Sequence, residues 1–262
     1  MHNAAFEALG LDLVYLPLAT PPQQLGLVLE GLMSLGALGV NVTIPYKHDV
    51  IPNLDEIDPL AQRIGAVNTI LFKNGRKIGY NTDGAGFVAS LEQEEGFYFS
   101  GKRVAILGAG GAAYGVADQC LDHGAASMVI ANRTLSKAQA LADHLQQHFD
   151  QQVAALELNT APLAEAVALA DIVINTTSLG LATADASPVN SEWLSQNQLV
   201  ADLIYNPVQT NLLRDAAQRG LRTVNGLGML IYQGVLAFKI WTGLDPQVEV
   251  MRAAVEEALN IT

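Results

Sequence analysis

The sequence predicts an α/β protein of two domains, and three observations support this fold class. From residue 102 onward, strand-like and helix-like segments alternate at regular spacing, which favours a parallel sheet with helices on both faces. A glycine-rich turn follows the first of these strands. Residues 1–84 show a different, mixed pattern, for which we expect a separate α/β domain with a mostly parallel sheet.

In chain order, the first domain is expected to begin with a helix that ends at Gly10, followed by an extended stretch over 12–18. Pro21 and Pro22 open the next helix, and a strand over 39–44 follows it and ends at Pro45. The remaining segments are a helix over 55–64, a hairpin of strands 66–72 and 77–80 around the turn 73–76, and a helix over 84–96.

The second domain should contain the alternating segments. These are strands over 103–107, 127–131, 172–175 and 199–202, with helices over 112–123 and 136–149. Two helices, over 229–243 and 248–261, end the chain. We therefore expect domain boundaries at 84/85 and 224/225, with residues 225–262 returning to the first domain.

Composition narrows the class of partner. Of the 262 residues, 50% are hydrophobic and 15% are charged, which is enough apolar mass for a sizeable core. The formal net charge of -12 repels nucleic acid and anionic membranes, so a small-molecule partner is expected. The longest apolar run, over 25–40, is too short and too interrupted by glycine to span a bilayer.

The single cysteine, Cys120, excludes an intramolecular disulfide and gives no support to a cysteine-based metal site. We expect it to be a small buried apolar residue. The start of the chain shows no signal-peptide pattern, so a cytoplasmic protein is expected. With no cysteine-based ligand set in the sequence, we also expect no metal.

A nucleotide site is indicated where the strand over 103–107 runs into Gly108-Ala109-Gly110-Gly111-Ala112. Glycines let the chain turn tightly and let backbone N–H groups approach a pyrophosphate at a helix N-terminus. Glycine-rich turns also occur simply as turns, so this feature alone leaves both interpretations open. With the strand before it and the helix after it, it favours a Rossmann-type dinucleotide site.

The end of the second strand, Ala131-Asn132-Arg133-Thr134, favours NADP over NAD. A protein that binds NAD usually places a carboxylate there for the ribose hydroxyls, and this chain has none. Arg133 can pair with a 2′-phosphate and stack on the adenine, and Lys137 lies just beyond. The alternative is that Arg133 and Lys137 are only solvated residues at the start of a helix.

Three polar turns in the first domain suggest a catalytic site. Lys47 follows a buried strand end that also carries Thr43, and a lysine beside apolar walls can act as an acid or base. Turns over 65–69 and 79–84 supply Asn68 and Asp83. Each turn by itself fits a solvated lysine or a local backbone cap. Together they suggest that a lysine and an aspartate meet and move a proton, while amides and hydroxyls hold a polyol.

The chain closely resembles the shikimate dehydrogenase family along almost its whole length. The matching motifs are NVTIPYK at 41–47, GAVNT at 65–69, NTDG at 81–84, GAGGAA at 108–113, NRTLSK at 132–137, NTTSLG at 175–180, DLIYNP at 202–207 and NGLGMLIYQG at 225–234. The family interconverts 3-dehydroshikimate and shikimate with NADP, in the biosynthesis of aromatic amino acids. Taken together, these motifs are highly specific.

The resemblance implies a role for each matching residue. Lys47 and Asp83 would be the catalytic pair, with Lys47 the proton carrier and Asp83 its partner and also a substrate ligand. The other implied substrate contacts are Thr43, Asn68, Tyr205 and Gln233. The implied NADP contacts are Gly108, Ala109, Gly110, Gly111, Ala112, Asn132, Arg133, Thr134, Lys137, Leu203, Gly226 and Met229.

The resemblance also implies a mechanism, in which NADPH passes a hydride to the ring ketone while Lys47 donates a proton to the developing alkoxide. The family's site lies in the cleft between the domains, so domain closure is expected to bring donor and ketone together. A monomer or a homodimer is compatible with the sequence.

The chain departs from the family pattern at its beginning. Family members normally carry a strand and a Ser-x-Ser-Pro stretch before the segment that here starts Met1-His2-Asn3. Two explanations are open. The first is that the sequence starts at an internal methionine or is truncated. The second is that the protein is a true variant, with an altered substrate or with a partner that supplies the missing strand. In either case the sequence predicts weak or no shikimate turnover with NADP binding retained, and family-like steady-state kinetics would contradict it.

Two further hypotheses remain open at the level of sequence. The chain could act on quinate or a related hydroxy acid, which substrate profiling would show. It could also be a dinucleotide-responsive binding protein with little catalysis, although such a protein would not need Lys47, Asn68, Asp83 and Gln233.

Overall fold

A computed structural model describes residues 1–43, 45–182 and 186–261. The chain forms two compact units. The first unit contains residues 1–86 and 231–262, and the second unit contains residues 87–230. These divisions fall inside two helices, a few residues after the boundaries expected from the sequence.

The first unit combines a small sheet with helices. Its elements are α1 His2–Ala8, α2 Leu25–Ser34, β1 Gly39–Asn41, β2 Glu56–Ile57, α3 Pro59–Ile64, β3 Thr69–Lys73, β4 Arg76–Tyr80, the start of α4 Asp83–Glu95, the end of α9 Leu227–Thr242, and α10 Val248–Leu259. The strand order is β1-β3-β4-β2. An apolar core lies against the sheet and includes Leu29, Val50 and Ile70.

The expectation of a mostly parallel sheet in this unit is wrong. β1 pairs antiparallel with β3, β3 pairs antiparallel with β4, and only the short β2 runs parallel to β4. The reason is the two-residue connection Asn74-Gly75, in which both residues have positive φ, 53° and 72°. This turn matches the twist of a tight hairpin and forces its strands to be antiparallel, because a parallel pair needs a long crossover.

Other local expectations for this unit were partly wrong. The helix expected over 55–64 begins only at Pro59, where the Asp58 side chain accepts a hydrogen bond from Leu60 N at 3.0 Å. Proline at the first helical position and aspartate before it are strong signals for a helix start. The strand expected over 39–44 is assigned at Gly39–Asn41, and Ile44 lies outside the described residues.

The second unit contains a six-stranded sheet in which every pair is parallel, in the order β10-β9-β8-β5-β6-β7. Its elements are β5 Arg103–Leu107, α5 Gly111–Asp122, β6 Ser127–Asn132, α6 Leu135–Gln146, β7 Gln152–Glu157, α7 Ala161–Leu169, β8 Ile172–Asn175, β9 Leu199–Asp202, α8 Asn211–Gln218 and β10 Arg222–Val224. The predicted doubly covered parallel sheet is confirmed.

Helices cover both faces of this sheet. Along β5, Val104 and Ile106 pack into one apolar cluster, while Ala105 and Leu107 pack into another. A strand that is buried on both faces reads as a continuous apolar run, which is why the sequence revealed it. Cys120 is fully buried in the first of these clusters, as expected.

The strand order fixes where a ligand can bind. β5 lies between β6 and β8, so β6 and β7 are added to the sheet on one side of β5 and the later strands on the other side. At such a reversal of strand order a crevice forms at the carboxyl ends of the strands. Open parallel sheets bind their ligands at this reversal point. Residues 108–111, 133–134 and 176–180 all follow strands that end there.

Neither a membrane-spanning helix nor a metal cluster is found in the described part of the chain. No helix in it is both long and apolar enough to cross a bilayer. Within the same residues, no three or more His, Cys, Asp and Glu side chains are grouped to hold a metal ion.

Candidate active site

The glycine-rich turn after β5 is sterically constrained at its first residue. Gly108 has a φ of 111°, which side chains rarely adopt, and a Cβ there would lie 2.5 Å from Thr176 Oγ1. Its N–H donates to Ala131 O at 2.7 Å, so the turn is fixed beside the end of β6. Only glycine fits this position without moving the neighbouring loop.

The same turn leads into an open helix N-terminus. α5 begins at Gly111, and no described side chain caps it. A Cβ built on Gly110 would meet nothing within 4 Å, so the space beside this residue, directly before the first helical N–H groups, is open. These uncompensated donors and the helix dipole favour an anion. The turn therefore fits the pyrophosphate of a dinucleotide.

The segment after β6 offers unpaired positive charge. Asn132 Nδ2 donates to Thr134 O at 3.0 Å, which shapes the turn before α6. Arg133 and Lys137 are exposed, and neither forms an ion pair with a residue that the structure describes. Because β6 neighbours β5, these cations follow the strand next to the glycine turn. The arrangement fits the 2′-phosphate of NADP.

Leu203 and Gly226 come together across the other half of the sheet. Leu203 N donates to Asn175 O at 3.0 Å, and Gly226 N donates to Ile204 O at 3.0 Å. A Cβ on Gly226 would collide with the Leu203 carbonyl oxygen, so the backbones touch directly. Met229 lies on the first turn of α9 and is partly buried against the core of the second unit.

Lys47 and Asp83 form an ion pair in the first unit. Lys47 Nζ lies 2.6 Å from Asp83 Oδ2, and the two side chains are 24% and 13% exposed. Lys47 follows β1 on a turn, and Asp83 is the first residue of α4. The pair combines a proton donor with a hydrogen-bond acceptor, and both remain partly accessible to a ligand.

Asn68 holds the second oxygen of Asp83. Its Nδ2 donates to Asp83 Oδ1 at 2.8 Å and to Thr82 Oγ1 at 3.0 Å, while its Oδ1 accepts from Thr82 N at 2.9 Å. Asn68 is only 3% exposed. Its amide is thus engaged within the protein, which supports a role in orienting Asp83 in addition to the substrate contact implied by resemblance.

Further residues that the sequence did not single out complete this network. Asn41 Nδ2 donates to Thr69 Oγ1 at 3.1 Å, and Thr69 Oγ1 donates to Asn68 Oδ1 at 3.0 Å. On the other side, Tyr15 donates its hydroxyl to Asn41 Oδ1 at 2.9 Å. Asn41, Thr69 and Thr82 lie inside the quoted motifs, but only the contacts made across the sheet reveal their function.

The other sequence-predicted substrate residues are placed differently. The backbone of Gln233 packs against α4 one turn after Asp83, since a Cβ on Gly86 would lie 2.5 Å from Gln233 N. Thr43 is exposed and lines an apolar cavity of about 450 Å³ that neither Lys47 nor Asp83 lines. Tyr205 belongs to the second unit, where it is 37% exposed. Since a polyol needs polar partners, we place the chemistry at the ion pair and not at this cavity.

Three family models match the chain. They are the shikimate dehydrogenase substrate binding domain over residues 1–70, shikimate / quinate 5-dehydrogenase over 90–207, and the shikimate 5′-dehydrogenase C-terminal domain over 226–256. Together they span most of the sequence.

Similar proteins agree with the family models. Shikimate dehydrogenase (NADP(+)) of Moorella thermoacetica is 47% identical over 99% of this chain and 88% of its own length, and that of Methanocaldococcus jannaschii is 46% identical over 99% and 92%. A crystal structure of a shikimate dehydrogenase in complex with NADP+ superposes with a TM-score of 0.91 at 42% identity, covering 98% of this chain and 89% of the other.

Two further structures carry ligands. The Thermus thermophilus enzyme, in complex with NADP(H) and shikimate, superposes with a TM-score of 0.87 at 37% identity, over 98% of this chain and 93% of that one. Quinate dehydrogenase from Corynebacterium glutamicum in complex with NAD has a TM-score of 0.90 but only 33% identity, over 98% and 92%. With three family models along its length and relatives above 40% identity over nearly all of it, the chain belongs to the NADP-dependent shikimate dehydrogenase family.

Proposed function

We propose that this protein catalyses the reversible NADPH-dependent reduction of 3-dehydroshikimate to shikimate. The observation that carries the proposal is the ion pair of Lys47 and Asp83, 2.6 Å apart and oriented by Asn68. Relatives that share this fold are named for shikimate and NADP(+), which supports the assignment of both ligands.

The pair accounts for the proton transfer. When bound, NADPH supplies the hydride, which adds to the carbonyl carbon as the C=O double bond becomes a C–O single bond. Lys47 Nζ donates a proton to the developing alkoxide, and Asp83 holds Lys47 and accepts a hydrogen bond from a substrate hydroxyl. In the reverse direction Lys47 removes the hydroxyl proton. Asn68 keeps Asp83 Oδ1 fixed throughout.

The remaining substrate contacts are proposals of the same kind. Gln233, close to the Asp83 turn, offers an amide for a substrate hydroxyl, and the exposed hydroxyls of Thr43 and Tyr205 are free of a hydrogen bond with any described residue. We propose that these three, with Asn68 and Asp83, contact the substrate.

We propose that the second unit holds NADP along the carboxyl ends of its strands. The turn from Gly108 to Ala112 would hold the pyrophosphate on the N-terminus of α5, and Arg133 with Lys137 would pair with the 2′-phosphate. Asn132 and Thr134 shape that turn. Leu203, Gly226 and Met229 would contact the nicotinamide half.

Steady-state kinetics test the proposal. We expect measurable oxidation of shikimate, and the same assay compares its rate with the weak or absent turnover predicted from the sequence. This oxidation should require NADP and disappear in Lys47→Ala, with quinate and NAD as much poorer substrates. Preference for quinate would assign the chain to the other activity that the family models name. Oxidation that is equal with NAD and NADP would overturn the cofactor assignment.

We further propose a cytoplasmic enzyme that acts as a monomer or homodimer on a small molecule. The single cysteine is buried and free, which suits a reducing compartment. Light scattering of the purified protein decides between the two oligomeric states.

A further inference from the structure

A buried polar cluster at the carboxyl edge of the parallel sheet takes no part in the chemistry described above. Its members are Asn175 at the end of β8, Asp202 at the end of β9, and Thr210 before α8. They are 0%, 1% and 2% exposed. Asn175 and Asp202 are register partners, so the two strand ends meet here.

Each oxygen of Asp202 accepts hydrogen bonds inside the protein. Oδ1 accepts from Asn175 Nδ2 at 3.0 Å and from Ile204 N at 3.1 Å, and Oδ2 accepts from Thr210 Oγ1 at 2.7 Å. Burial raises the pKa of Asp202, while these donors oppose that shift. No ion pair with Asp202 is found in residues 1–43, 45–182 and 186–261.

The cluster fixes two loops at once. Asn175 accepts from Thr177 N at 3.0 Å and donates to Leu179 O at 3.1 Å, which holds the loop after β8. Asp202 holds the loop after β9 at both ends, at Ile204 and at Thr210. That second loop carries Leu203 and Tyr205. A buried carboxylate is costly to retain, so its three donors indicate a defined geometric task.

We propose that Asp202 is a positioning residue for the nicotinamide half of the cofactor, acting through the segment from Leu203 to Tyr205. The inference rests on the proposed NADP site. The backbone contact between Leu203 and Gly226 transmits the position of this loop to the start of α9. Arg133 and Lys137 follow β6 on the far side of β5 and share no hydrogen bond with the cluster, so the 2′-phosphate end should not depend on it.

Calorimetric titration with two probes tests this assignment. The probes are NADP+ and adenosine 2′,5′-bisphosphate, which carries the 2′-phosphate and lacks the nicotinamide. For Asp202→Asn, which keeps the side-chain shape, we expect the Kd of NADP+ to rise about tenfold, roughly the effect of one charge-assisted hydrogen bond. The Kd of the bisphosphate should change by less than about twofold.

A matched pair of variants at Thr210 provides the control. Thr210→Val removes the hydrogen bond to Asp202, and with it the 3.4 Å cap from Leu213 N at the start of α8, and should reproduce the selective loss. Thr210→Ser retains the hydroxyl for both contacts and should bind both probes like the wild type. This pair still decides the matter if Asp202→Asn does not fold. Equal weakening of both probes, or no weakening of either, would overturn the inference. Failure of the wild type to bind either probe would instead overturn the NADP site, and the inference with it.

Discussion

Replacing Asp83 by asparagine should destabilise the protein, because the site offers two donors to one side chain. Lys47 Nζ lies 2.6 Å from Oδ2, and Asn68 Nδ2 lies 2.8 Å from Oδ1. An amide has one acceptor oxygen, so in Asp83→Asn one of these donors must face an NH2 group. The ammonium of Lys47 also loses its counterion.

The size of the effect follows from the geometry and exposure of the pair. At an effective dielectric of about 20, charges 2.6 Å apart attract by roughly 6 kcal/mol before solvation is counted. Lys47 is 24% exposed, so water recovers much of this energy in the variant. We expect a net loss of about 2 kcal/mol in the free energy of unfolding, typical of a hydrogen bond to a charged group.

Urea denaturation at neutral pH measures this quantity. Asp58→Asn is the matched control, because Asp58 accepts from Leu60 N with one oxygen and asparagine caps helices equally well. The control should stay within about 0.5 kcal/mol of the wild type. If Asp83→Asn is as stable as this control, the pair is not the coupled, partly buried site described here.

Three further perturbations test other parts of the account. Arg133→Ala should raise the Kd of NADP at least about tenfold and leave that of NAD unchanged, as measured by calorimetry; a parallel loss for both would remove Arg133 from 2′-phosphate recognition. Gly226→Ala should lower the free energy of unfolding by roughly 1–3 kcal/mol, because the new methyl group collides with the Leu203 carbonyl. In the same urea titration the control Gly31→Ala should not destabilise the protein, because a Cβ at Gly31 meets nothing within 4 Å. Burial, with the adjacent amino terminus, lowers the pKa of His2 to about 4, below the value near 6.5 in the unfolded chain. Neutral His2 therefore contributes fully to the free energy of unfolding above pH 6.5, and this contribution is lost as the pH falls toward 4. Unfolding free energies at pH 7 and 4.5 should show a loss in the wild type, at most about 3 kcal/mol, that is smaller in His2→Phe; identical profiles would contradict the buried neutral histidine.

The parallel sheet could be predicted because burial on both faces leaves a continuous apolar pattern in β5, β6, β8 and β9. The edge strands β7 and β10 were missed for the same physical reason. In β7, Gln152–Glu157, only Val153 is buried, and β10 is only three residues long. An edge strand buries little of its surface, so its sequence lacks the apolar run that reveals a central strand.

The candidate site shows a similar limit. Lys47 and Asp83 stood out because three polar turns lie close together in the sequence. The buried hydrogen-bond partners of Asn68 and Asp202 did not stand out in the sequence. Thr82 lies 14 positions from Asn68, and Asn175 lies 27 positions from Asp202, so these contacts depend on how the strands pair. Register is set by tertiary packing and turn geometry, which the sequence pattern alone does not specify in the first unit.

We propose that Lys47 performs proton transfer in an NADP-dependent oxidation of shikimate. The most direct measurement compares Lys47→Ala with the wild type in two assays, the initial rate of NADPH formation with shikimate and the Kd of NADP+. We expect the rate to fall by at least about a hundredfold, the scale of general acid–base catalysis, with the Kd of NADP+ nearly unchanged. A variant that retains the wild-type rate would contradict the assignment of Lys47 as the proton carrier.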